Sequence, residues 1–196
     1  MCAAKVLLSA EEMRLVTDAG VILTKNSVMA KVVELLAGLS EDYRPVWDAA
    51  TAAGEEWGAT SPKISRGENY LGLPWAILDY PRFFGREDTF AIRTMFWWGH
   101  AFSVTLHLKG RYKELYLPVI EKNWLLLADE GFHVGVSEDE WRHEHVPDNY
   151  GVVSNADSLR RDGDFLKLSA AVELHRWEDV PELLLGMFKT LITVLF

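Results

Sequence analysis

Trp75-Ala-Ile-Leu-Asp-Tyr80, Thr89-Phe-Ala-Ile-Arg-Thr-Met-Phe-Trp-Trp98 and His100-Ala-Phe-Ser-Val-Thr-Leu-His-Leu108 are three strand-like runs punctuated by Pro81 and Gly99. β-Branched and aromatic residues dominate them, and apolar and polar positions alternate, the period of a sheet with two different faces. In the second run Phe90, Ile92, Phe96 and Trp98 fall on one face and Arg93, Met95 and Trp97 on the other. In the third, Phe102, Val104, Leu106 and Leu108 lie opposite Ser103, Thr105, His107 and Lys109. A fourth run, residues 165–176, sets Leu166, Leu168, Val172 and Leu174 against Lys167, Ser169, Glu173 and His175. Gly99 makes a tight hairpin the simplest link between the second and third runs.

The rest of the chain reads as helix or loop. Ser9-Ala-Glu-Glu12 is a capping box that opens a helix to about Asp18. Further helices fit 26–37 and 40–53, with Gly38 and Pro45 as punctuation. Residues 111–145 read as helical, interrupted at Pro118 and Gly131, and a last helix fills 180–196. Residues 60–74, with two prolines and two glycines, read as a long loop of the kind that often carries function. The expectation is one α+β domain over 1–196, with N-terminal helices in 1–58 and a strand block at 75–109. Its core would be a roughly four-stranded antiparallel sheet with helices packed on one face.

Composition narrows the function classes. The net charge is −9, which argues against a nucleic-acid partner. Residues 61–93 stand apart: Lys63, Arg66, Arg82, Arg86 and Arg93 face four acids, for a local charge of +1. The lone cysteine, Cys2, rules out an intramolecular disulfide, and no secretory leader is read in the first residues, so a cytoplasmic location is expected. The apolar C-terminal run is too short to span a bilayer. It reads as a core helix or as the seam of a homodimer.

Two clusters bear on chemistry. If the strands are neighbours in register, the semi-polar sheet face gathers Asp79, Arg93, Ser103, Thr105, His107, Glu173 and His175. That set holds the acids, base and cation that a binding face or general acid–base site needs. The first expectation is a binder of a small anionic or aromatic molecule at this face, flanked by the 60–74 and 81–88 loops. Arg66, Arg82 and Arg93 would hold charge, Tyr70 and Trp97 would stack, and His107 would donate or accept. The second is an enzyme in the same cleft, with His107 as general base oriented by Glu173 or Asp79. The third is an assembly protein using its aromatic sheet and final helix. His143-Glu-His145 resembles a metal motif only superficially, since a third ligand is not evident, and it reads as a solvated turn. No HExxH, phosphate-binding loop, dinucleotide fingerprint, G-x-S-x-G or CxxC is present, so no cofactor or metal is expected.

Overall fold

A computed structural model describes residues 6–52, 60–159 and 163–196. Cys2 and the end of the expected 40–53 helix lie outside the described residues. The strands are β1 (Lys63–Tyr70), β2 (Leu73–Phe84), β3 (Thr89–Trp97), β4 (Ala101–Lys109), β5 (His133–Gly135), β6 (Tyr150–Val152) and β7 (Phe165–Glu173). The helices are α1 (Ala10–Thr17), α2 (Ala19–Thr51), α3 (Arg111–Lys122), α4 (Trp124–Asp129) and α5 (Val180–Leu195). All seven strands form one antiparallel sheet in the order β1-β2-β3-β4-β7-β5-β6.

The expected four strands are therefore too few. β1 lies in the stretch read as a loop. It is an edge strand of largely polar composition, as edges often are, and it lacks the apolar alternation that marks interior strands. β5 and β6 have three residues each, too short for a period to register. The 111–145 segment is helical only to Asp129, and the residues after it enter the sheet as β5.

Two separate N-terminal helices are instead one, the 33-residue α2, which carries Pro45 inside it. Met29, Val32, Leu36, Leu39, Tyr43 and Trp47 recur at three- and four-residue intervals and bury one continuous stripe. Tertiary packing of that stripe overrides the local weakness of Gly38 and Pro45.

The core lies between the helices and one sheet face. Phe90, Ile92, Phe96, Phe102, Val104, Leu106, Leu108, Leu166 and Leu168 meet α2, α3 and α5 there. Tyr43 stacks on Phe188 of α5 with ring centroids 3.9 Å apart, and its hydroxyl reaches Thr94 Oγ1 at 3.1 Å. Eight residues of α5 are buried and pack into this core. No described helix is long and apolar enough to cross a membrane.

Candidate functional site

Strand register arranges the other face in rows. Asp79, Arg93, Thr105 and Ser169 are successive partners across β2, β3, β4 and β7. One row away, on the same face, come Arg82, Ala91, His107 and Lys167; on the other side come Ile77, Met95, Ser103 and Ala171. An antiparallel sheet commonly leaves such a face to water. Here Asp79, Thr105, His107, Lys167 and Ser169 are all buried.

The cover is the connection between β5 and β6. Instead of a tight hairpin, residues 136–149 make a long excursion, hereafter the strap, that folds back over the sheet. Its two ends meet where Val136 N–H donates to the Asn149 carbonyl at 2.9 Å. The fully buried Asn149 side chain donates to the Glu144 carbonyl at 2.8 Å and pins the turn from inside. Connections of this length are often functional.

Strands β1, β3, β4 and β7 each contribute a polar tether to the strap. Lys167 donates to the Arg142 carbonyl. Glu140 accepts from Lys109 at 2.8 Å and lies 3.0 Å from His107 Nε2. Arg93, held by Asp79 at 2.7 and 3.1 Å, also contacts His143 Nε2 at 3.1 Å. His145 Nε2 lies 2.9 Å from Ser169 Oγ, which is itself 2.7 Å from Thr105 Oγ1. At the far edge, Tyr70 donates to Glu144 at 2.6 Å and accepts from the His143 backbone N–H at 2.8 Å.

This environment keeps the imidazoles neutral. Burial, reinforced by the Arg93 and Lys167 charges, pushes His143 down to about 3. Burial likewise lowers His107, although Glu140 pulls the other way. His145 is lowered for the same reason, but it keeps one side open to solvent. Burial lowers Lys167 to about 8. Burial opposes ionisation of Glu144, yet hydrogen bonds from Tyr70, its own backbone and Arg142 prevail and hold it at about 2. Tyr70, buried and donating to that carboxylate, rises to about 12.

The contact with Arg93 decides the tautomer of His143. A guanidinium has donors and no acceptor, so Nε2 must accept, and a neutral ring then carries its proton on Nδ1. Among the described residues that Nδ1 has no hydrogen-bond partner.

Beside His143 the strap and the sheet part to leave a cleft of about 390 Å³. Met95 and Ser103 form its floor, Trp97, His100 and Ala101 one wall, and His143, Glu144, His145 and Val146 of the strap the other. His100 stacks on Trp97 with centroids 3.5 Å apart, and Tyr70 meets the same indole edge-on at 5.3 Å. Leu71 stands at the rim. It is the first residue of the two-residue β1–β2 turn and has φ 50°, followed by Gly72 at φ 86°. A leucine in the left-handed region is strained, where Asn or Gly would fit better.

A second, much smaller space lies under the strap beside Arg93, Thr105, His107, Glu140 and Lys167. Its volume is about 10 Å³, on the scale of one water and not of an organic substrate.

The residues singled out by sequence do not all converge. Tyr70, Arg93, Trp97, His107 and Asp79 share the covered face. Arg93 is spoken for by Asp79, so Asp79 orients the arginine and not His107. Glu173 pairs with Ala101, six positions along β4 from His107, a separation of roughly 20 Å in a strand. It lies in solvent against His175, which has left the strand for a 3-10 turn. Arg66 is exposed, opposite Ala76 of the helix-side core. Arg82 is turned to the Ser61 carbonyl at 3.0 Å. The strap residues Glu140, His143, Glu144 and His145, with Lys167 and Ser169, complete the face. The 143–145 stretch is only partly solvated: His143 and Glu144 are half-buried, His145 is exposed, and both histidines reach sheet residues. The alternation of β7 already put Lys167 and Ser169 on this face, but nothing local marks the strap as its cover.

Among the described residues no group of three or more His, Cys, Asp or Glu side chains could hold a metal ion. Set against protein-family models, curated proteins and solved structures, the chain matches none of them.

Proposed function

We propose that this chain binds a small, flat, neutral molecule with an aromatic body in the cleft between the Trp97 end of the sheet and the strap. The observation that carries the reading is one cleft that combines an apolar, aromatic wall with His143, whose Nε2 is engaged by Arg93. Its volume falls in the range of small-molecule sites, which pair apolar lining with a few placed polar groups. Trp97 and Met95 supply contact area, and the Ser103 hydroxyl and the two strap histidines supply hydrogen bonds. The ionised Glu144 in the cleft wall disfavours an anion, and the neighbouring strap cation, Arg142, is already engaged by Glu144 and Asp148. The strain held at Leu71 supports the same reading, since unfavourable backbone persists where a side chain is needed for function.

The competing reading, an enzyme with His107 as general base, is weaker. The space at His107 is of water size, and the carboxylate beside it is Glu140, already engaged by Lys109.

The test is a thermal-shift series with nicotinamide, indole and benzimidazole, with nicotinate as the anionic control. Ligand at a hundred times its dissociation constant stabilises by about 2.7 kcal/mol, a shift of several degrees for a domain of this size. A shift with a neutral heteroaromatic that disappears in Ala101→Trp, which fills the cleft from its wall, supports the proposal. Equal shifts in both proteins, or a shift with nicotinate alone, overturn it.

A further inference from the structure

The strap lies on the sheet without apolar anchorage. Among the described residues none of 136–149 belongs to a hydrophobic cluster, and within that stretch only Asn149 is buried. Of its large apolar side chains, Trp141 is 49% and Val146 38% exposed. The ends are fixed, because β5 pairs with both β6 and β7 and Val134 is fully buried. The middle is held by hydrogen bonds, ion pairs and the edge of Trp141 against His107. Segments with few buried apolar contacts open locally at a lower free energy than the core.

The histidine contacts differ in how they respond to a proton. His107 Nε2 lies 3.0 Å from Glu140, and His145 Nε2 lies 2.9 Å from Ser169 Oγ. A carboxylate or a hydroxyl can accept from a protonated ring, so both contacts survive one. His143 Nε2 faces the Arg93 guanidinium at 3.1 Å, and a guanidinium has donors only. A proton on Nε2 removes the acceptor and sets two like charges against each other. Lys167 adds a third cation: it is 2% exposed, and its partners among the described residues are the Arg142 carbonyl and the Tyr150 ring. The nearby acids are committed elsewhere. Asp79 holds Arg93, Glu140 holds Lys109, and Glu144 holds Arg142 while accepting from Tyr70. Glu144 attracts a proton to His143, but burial, Arg93, Lys167 and His107 all oppose it.

We propose that the strap is a lid over the polar sheet face, released in its middle when His143 takes up a proton. The closed lid holds that ring neutral, at about 3, whereas in an open strap it returns to an ordinary value near 6.5. A group held low in the closed form binds its proton on opening, so acid favours the open form. His107 and His145 are lowered as well and act in the same direction, but only His143 loses its tether by titrating. Opening carries away the cleft wall formed by 143–146, a consequence for binding that rests on the ligand reading above. The opening itself needs no ligand.

The experiment is amide hydrogen exchange of the full chain, without ligand, followed by NMR at about pH 7 and pH 5 and corrected for intrinsic exchange. The reporter is the backbone N–H of position 143, whose bond to the Tyr70 hydroxyl crosses from the strap to β1. The Val104 and Leu106 amides of β4 report the core. Protection at position 143 is expected to fall by about tenfold or more between the two pH values while the core amides hold. His143→Gln keeps an acceptor for Arg93 that does not titrate, and it should make that fall smaller by about tenfold or more. His145→Gln should change the fall by less than about threefold, because that ring is exposed and Ser169 can accept from it. No fall in wild type, an equal fall in His143→Gln, or core amides that lose protection together with the strap overturns the inference. So does a pH response removed by His145→Gln as fully as by His143→Gln.

Discussion

The two faces of this one sheet are built on opposite terms. Toward the helices, Phe90, Phe96, Phe102, Leu106 and Leu168 pack against α2 and α5 with almost no exposure and few polar groups. Toward the strap, the same strands present Asp79, Arg93, Thr105, His107, Lys167 and Ser169, and the cover holds them by hydrogen bonds and charge contacts. Close packing stabilises the first face; burial of charge makes the second costly, and it leaves a cleft. The difference teaches where the proposed site is to be tested: on the face that gives up stability to polar groups and an opening.

The largest expected effect compares neighbours on β4. Phe102 is fully buried against Phe96 and Trp177, and Phe102→Ala should cost about 3–5 kcal/mol in denaturant unfolding. Ser103→Ala, one residue along on the other face, should cost less than about 1 kcal/mol. Similar losses would dissolve the distinction between the faces.

Next comes the buried ion pair. Asp79→Ala leaves the Arg93 guanidinium without its carboxylate and should cost about 3 kcal/mol. Adding Arg93→Met should recover more than half of that loss, because the unpaired charge goes too. A double mutant worse than the single would mean that the pair itself stabilises the face.

The pH dependence follows from the neutral histidines. His143, at about 3 in the folded chain, lies below its unfolded value near 6.5, and His107 is lowered too. Between those values the unfolded chain binds the extra protons. Stability is therefore full above about pH 6.5 and falls with acidification, by up to about 1.4 kcal/mol per pH unit for each histidine. Lys167, lowered to about 8, works in another window, with stability rising as pH goes from 8 toward its unfolded value. Urea unfolding of His143→Gln between pH 4 and 7 should show a shallower slope than wild type; an unchanged slope would remove His143 from the account.

The smallest effect is the most particular. Leu71→Gly relieves the left-handed leucine and should raise stability by about 1 kcal/mol, while weakening the ligand response of the cleft. A variant that is less stable, or that binds equally well, would show that Leu71 serves the turn and not the cleft.

What could be read from the sequence tracks how local the signal is. The alternation of Phe102, Val104, Leu106 and Leu108 with Ser103, Thr105, His107 and Lys109 separates the two faces within nine residues, because side-chain direction in a strand is a local property. β1 was hidden because an edge strand needs no apolar face, and β5 and β6 because three residues carry no period. Register is a property of pairs of strands, so Glu173 could not be separated from Lys167 as the neighbour of His107. The strap is the least local feature: His143 and Glu144 are read as surface residues until Arg93 and Tyr70, at least fifty positions away, come to meet them.

The most direct test of a site on the strap side uses the methionines as reporters. Met95 lies in the floor of the cleft, Met29 and Met187 in the helix-side core, and Met13 on the exposed α1. In a titration of methyl-¹³C-methionine protein with the neutral heteroaromatic that gives the largest thermal shift, the Met95 resonance should move saturably while those of Met29 and Met187 stay in place. A Met95 signal that stays fixed while Met29, Met187 or Met13 responds would contradict the account.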